Sequence, residues 1–128
     1  MGLQDKKCFS IKRLLRSFRY ATQGLLYVIK QEQNMKIHLV VGTLVVILSF
    51  LLDIPTVHFF IVLVIIGIVF ALEALNTAIE RTVDLVTKEY HPVAKIAKDV
   101  AAGAVLVFSI FAAIIGLWIF IPPLLQLL

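Results

Sequence analysis

One stretch of the chain carries residue types that can do chemistry in a place where they are costly. It is Glu73-Ala-Leu-Asn76-Thr77-Ala-Ile-Glu80-Arg81-Thr-Val-Asp84, and it begins inside an uncharged apolar run. If the run is helical, Glu73, Asn76, Thr77, Glu80 and Asp84 share one stripe, with Glu73 and Glu80 about 10.5 Å apart along the axis. A carboxylate set in hydrocarbon suits a general base facing a lipid-borne hydroxyl. Carboxylates nearer water suit a divalent cation carrying a polyphosphate, because Mg²⁺ prefers one or two protein carboxylates plus phosphate oxygens. The alternative for Glu73 is a structural acid bonded to Asn76 or a neighbouring helix. For Glu80 and Asp84 it is a solvated helix face, and for Lys98-Asp99 a plain interfacial charge pair.

The elements that must hold these residues are membrane helices. Of 128 residues, 61% are hydrophobic, against roughly 45–50% for a soluble average. A chain this small cannot hide so much apolar surface from water, so much of it must face lipid. The net charge of +4 does not indicate nucleic acid, because the basic residues flank apolar runs, as they do at anionic membrane surfaces. Cys8, the single cysteine, excludes an internal disulfide framework and reads as an incidental reduced thiol. No cleaved signal peptide is expected, since no short apolar core with a cleavage site follows the basic start.

The spacing predicts an all-α integral membrane protein with an amphipathic surface helix over 9–32 and three spans. In the surface helix, Phe9, Ile11, Leu14, Leu15 and Phe18 alternate with Lys12, Arg13, Arg16 and Arg19, which fits a helix lying among headgroups. The first span covers 36–54 and ends at Asp53-Ile54-Pro55. The second covers 56–86 and continues beyond the membrane as a cytoplasmic extension. The third covers 94–122, begins with its own cytoplasmic extension, and is expected to stop at Pro122-Pro123, with Trp118 as an interfacial anchor. Eight Lys/Arg precede residue 37 and four lie between Arg81 and Lys98. None lies in the Asp53 turn or the C-terminal tail. The positive-inside rule therefore places the N-terminus and the second connection in the cytoplasm, and the C-terminus outside.

No phosphate-binding loop, dinucleotide fingerprint or soluble-kinase catalytic loop is present. Residue chemistry alone therefore reaches a small membrane protein with a cytoplasm-facing acidic site. A proton- or cation-coupled transporter using Glu73 remains open at this level, as does a non-catalytic membrane anchor.

The Glu73-x-x-Asn76-Thr-Ala-Ile-Glu80 core, followed by Asp84, Glu89-Tyr90-His91 and Ala97-Lys98-Asp99, resembles the prokaryotic diacylglycerol kinase family over about residues 13 to 120. The segment Glu32-x-Asn34-x-x-x-His38 resembles its Gram-positive, undecaprenol-directed branch. Where His38 stands, the diacylglycerol-specific branch tends to have a carboxylate. The resemblance implies a homotrimer in the bacterial plasma membrane that phosphorylates a lipid alcohol, undecaprenol or alternatively diacylglycerol, with ATP and Mg²⁺. It implies Glu73 as catalytic base with Asn76 supporting the transfer site, and Glu32 and Glu80 as ligands of ATP-associated Mg²⁺. It further implies nucleotide contacts from Arg13, Tyr20, Glu89, Tyr90, His91, Lys98 and Asp99.

Overall fold

A computed structural model of the chain describes residues 10–128, so Cys8 and the expected helix start at Phe9 lie outside the described residues. Four helices follow in order: α1 (Ile11–Gln31), α2 (Gln33–Leu51), α3 (Thr56–Val86) and α4 (Pro92–Leu125). The last three are long and apolar enough to cross a membrane. At 1.5 Å per residue α3 is about 46 Å long, some 16 Å more than a hydrocarbon core of about 30 Å. Counted from Thr56, Glu73 falls near the edge of that core, while Glu80, Arg81 and Asp84 lie beyond it.

One residue separates α1 from α2. Glu32 has an extended backbone (φ −95°, ψ 123°), caps the end of α1 through its amide to Val28 O, and starts α2. α1 therefore stops at Gln31 rather than 32, and α2 starts at Gln33, earlier than the polar edge at 36 suggested. The polar side chains of Gln33 and Asn34 do not delay it, because an interfacial first turn can solvate its free amides.

The α2–α3 turn is built from backbone. Asp53 takes a left-handed conformation (φ 46°), its amide donates to Phe50 O at 3.3 Å, and the Ile54 amide reaches Ser49 O at 3.3 Å. This pair of bonds closes the end of a helix, and aspartate tolerates the left-handed region better than most residues. Ile54 then drops into a small core with Val62, Ile119 and Phe120. Lipid tails are as apolar as these side chains, so their contribution is close packing rather than escape from water. Gly42 shows the same economy: a Cβ there would meet Ile66 Cγ2 at 3.3 Å and Phe70 Cζ at 3.6 Å, so its hydrogen lets α2 approach α3.

At the other face, His91 caps α4 by accepting the Val93 amide on Nδ1 at 3.2 Å, and Pro92 occupies the first helical position. A proline there loses no intrahelical bond, so the helix begins two residues before the expected 94. The expected stop at Pro122-Pro123 does not occur, and α4 runs through both prolines to Leu125. Proline φ is already helical, and so near the end the two missing N–H groups leave only the Trp118 and Ile119 carbonyls without partners. The Gln126 amide still donates to Pro122 O, at 3.3 Å.

Candidate active site

Glu73, Asn76 and Thr77 sit on the inward stripe of α3 and are 2%, 6% and 3% exposed. Thr77 Oγ1 turns back on its own helix and donates to the Glu73 carbonyl at 3.0 Å. Asn76 Nδ2 donates to Glu80 Oε1 at 3.3 Å, one turn nearer water. Among the described residues, Glu73 Oε2 and Asn76 Oδ1 are buried with no partner. Asn34 and His38 of α2 lie near Glu73, as do Glu32 and Glu80. The two helices thus gather Glu32, Asn34, His38, Glu73, Asn76 and Glu80 into one cluster. A buried polar atom without a partner is costly, so the free oxygens of Glu73 and Asn76 mark a place built to receive a polar group.

A second layer of charge closes the cluster towards water. Arg81 donates to Glu32 Oε1 at 2.5 Å and lies over the Tyr27 ring, 5.9 Å from its centre. Sequence reasoning missed this pair, which spans 49 residues and has no local signal. Only the antiparallel level of α2 and α3 could have suggested it. Lys98 pairs with Asp84 at 2.5 Å, joining α4 to α3, while Asp99 is held by Lys95 one turn away. The simple Lys98–Asp99 pair considered as an alternative is therefore not formed. The Lys95–Asp99 contact has a readable i,i+4 spacing, whereas Asp84 on the stripe gains a partner that no spacing announced.

The other residues expected around a nucleotide are placed but not gathered. Tyr20 and Tyr90 are 64% and 80% exposed, on α1 and on the α3–α4 connection. Arg13 lies one turn from the start of α1, and its carbonyl accepts from Ser17 Oγ. Glu89 uses its amide to bond Thr87 Oγ1 at 3.2 Å, which tightens the connection. Among the described residues, no side-chain hydrogen bond or ion pair joins Arg13, Tyr20, Glu89 or Tyr90 to the acidic cluster.

The Asp84–Lys98 link makes the connection sensitive to acid. The Lys98 ammonium holds the Asp84 carboxyl below the usual carboxylate range. A depressed carboxyl stabilises the folded state at pH above its unfolded value, and that stabilisation disappears as pH falls through its lower folded value. Protection of the amides across residues 87–91, taken relative to their intrinsic exchange at each pH, is accordingly expected to fall only below the ordinary carboxylate range. Asp84→Asn should show the lower protection already at neutral pH. Hydrogen-exchange mass spectrometry in nanodiscs measures both.

Three spanning helices with a buried acid at the membrane edge, topped by a basic and aromatic layer, describe an integral membrane enzyme working where lipid meets water. The chain belongs to the prokaryotic diacylglycerol kinase family, whose model matches residues 19–120. It is 45% identical to the undecaprenol kinase of Bacillus subtilis (strain 168), over 89% of this chain and 93% of that one. It is 44% identical to a diacylglycerol kinase of Synechocystis sp., over 90% of this chain and 66% of that one. Against the diacylglycerol kinase of Escherichia coli (strain K12) the identity is 31%, over 80% and 84%. The chain is thus a bacterial membrane lipid kinase, with ATP as its co-substrate.

Proposed function

We propose that the chain transfers the γ-phosphoryl group of MgATP to undecaprenol, giving undecaprenyl phosphate and MgADP. The observation that carries this reading is the free, buried Glu73 Oε2 at the depth where a membrane alcohol presents its hydroxyl. Glu73 takes the hydroxyl proton, the alcohol oxygen bonds to the γ-phosphorus, and the bond to the β–γ bridging oxygen breaks with its electron pair leaving on ADP. Asn76 steadies this centre through its bond to Glu80. Lys98, and Arg13 from α1, offset charge on the polyphosphate nearer water. Tyr20, Glu89, Tyr90, His91 and Asp99 line the nucleotide side. Transfer of this kind depends on positioning and electrostatics, so a small scaffold without a covalent intermediate suffices.

Mg²⁺ fits the residues present. Among the described residues no three His, Cys, Asp or Glu sit close enough to hold a metal ion by themselves, and Mg²⁺ needs only one or two protein carboxylates beside phosphate oxygens. Glu80 has one oxygen engaged by Asn76, and Glu32 is held through one oxygen by Arg81, leaving each a second oxygen to offer. When bound, the cation supplies positive charge beside the β- and γ-phosphate oxygens.

The N-terminus and the α3–α4 connection are assigned to the cytoplasm, and the Asp53 turn and C-terminus to the outside, from the Lys/Arg distribution. The chain is read as a homotrimer with α1 as an amphipathic helix in the headgroup layer. Only 17% of residues in each span's apolar window are buried within the chain, which leaves broad faces for lipid and for further copies. Undecaprenol is preferred to diacylglycerol because of the Bacillus relative's name and His38 in the Gram-positive pattern. An ATP-dependent phosphorylation assay against a panel of lipid alcohols decides this. Faster turnover of undecaprenol is expected. Faster turnover of diacylglycerol would reassign the acceptor, and ion transport without any lipid phosphorylation would refute the reading.

A further inference from the structure

Below the acidic cluster, α2, α3 and α4 enclose a cavity of about 680 Å³ that is apolar along almost its whole length. It runs from Ile37 and His38 on α2 and Ser109 on α4 towards Leu48 and Leu124 at the opposite membrane face. Its polar lining lies at one end. The Asp84–Lys98 pair sets the register of the antiparallel helices α3 and α4. Glu73 lies eleven residues before Asp84, and Ser109 eleven residues after Lys98, so both sit at the same depth. His38 arrives at that depth from α2, one turn above the Gly42 contact with Ile66 and Phe70.

Ser109 behaves unlike the other hydroxyls inside the helices. Ser17, Thr22, Thr43, Ser49, Thr77 and Thr82 each donate to the carbonyl four residues earlier on their own helix. That is the ordinary way to satisfy a hydroxyl in an apolar surround. Ser109 Oγ does not do so, and is buried without a partner among the described residues while the residue lines the cavity.

We propose that Ser109 binds the hydroxyl of the lipid alcohol, whose hydrocarbon chain occupies the cavity below it. This rests on the reading of the chain as a kinase of a long-chain alcohol. The Ser109 O–H donates to the alcohol oxygen while the alcohol O–H donates to Glu73 Oε2. One lone pair of the alcohol oxygen is thereby held and the other is left to attack phosphorus. An oxygen fixed from two sides is aimed, and aim accounts for much of the rate in a transfer without covalent help. The occupant is defined by chemistry: a single hydroxyl on a long apolar chain, matching one polar end and an apolar length.

The test uses the purified full chain in lipid nanodiscs, with undecaprenol and the five-carbon alcohol 3-methylbut-2-en-1-ol as acceptors. Ser109→Ala is expected to lower kcat/KM for either alcohol about tenfold, the usual scale of one lost hydrogen bond, and to leave KM for ATP unchanged. Ser109→Thr, which keeps the hydroxyl, should recover most of the loss. Gly116→Leu extends a side chain into the cavity from a position where a Cβ meets nothing within 4 Å. It should depress undecaprenol turnover while sparing the five-carbon alcohol, which ends well short of Gly116, about 10.5 Å below Ser109 along α4. The proposal is overturned if Ser109→Ala leaves lipid kinetics unchanged or raises KM for ATP in parallel. It is also overturned if Gly116→Leu treats both acceptors alike, or changes the oligomer mass by light scattering, which would mean that another copy fills the cavity. Absence of lipid phosphorylation by the wild-type chain would instead sink the kinase reading, and is read on that sample alone.

Discussion

Glu73→Gln is expected to lower kcat by about 10²- to 10⁴-fold, the range for removal of a general base. Shape is preserved, and the amide can still meet Asn34 and the polar group that approaches Oε2. KM for ATP should barely move, since Glu73 lies on the lipid side of Glu80. Thermal stability in detergent should hold or improve, because the substitution removes an ionisable group that is 2% exposed and has an oxygen without a partner among the described residues. A merely structural carboxylate predicts the opposite pattern, with activity and stability falling together. Steady-state kinetics with saturating MgATP and a parallel melting curve separate the two, and near wild-type turnover would remove Glu73 from the role of base.

Glu80→Gln should reduce activity by at least about tenfold at limiting Mg²⁺, on the scale seen when a metal site loses a supporting group, and added Mg²⁺ should restore part of it. The structure makes this variant sharper than its counterpart at Glu32. Among the described residues Glu80 has only the Asn76 amide as a partner, at 3.3 Å, so its loss disturbs little else. Removing Glu32 would also release Arg81 from an ion pair and alter the corner between α1 and α2, mixing metal binding with folding. Activity titrated against Mg²⁺ at fixed ATP is the measurement. A loss in Glu80→Gln that is indifferent to Mg²⁺ would count against its role as a ligand.

Much of the ground plan was legible in residue types. Uncharged runs of span length and a proline-marked turn indicated three helices long enough to cross a membrane, and α3 runs over Thr56–Val86. The stripe from Glu73 to Asp84 was visible because helical spacing is local information. What stayed hidden depends on which helix faces which, as with Arg81 reaching Glu32, Lys98 choosing Asp84 over its neighbour, and Ser109 declining its own helix. Each is settled by packing across helices, and a one-dimensional pattern carries no distance between them. The prolines at 122 and 123 misled for a different reason. The rule against proline concerns a helix interior, and near a C-terminus most of its penalty is absent.

The single non-helical residue between α1 and α2 gives the molecule a lever. α1 is a rod of 21 residues, and its turning point is Glu32, whose side chain lies beside the acids of α3. A tilt or roll of that rod has one backbone residue in which to be absorbed, and that residue carries a carboxylate of the cluster. The far end of α1 therefore commands the near end through a short arm, so the way this helix rests against its surroundings is transmitted to the site as a displacement of charge.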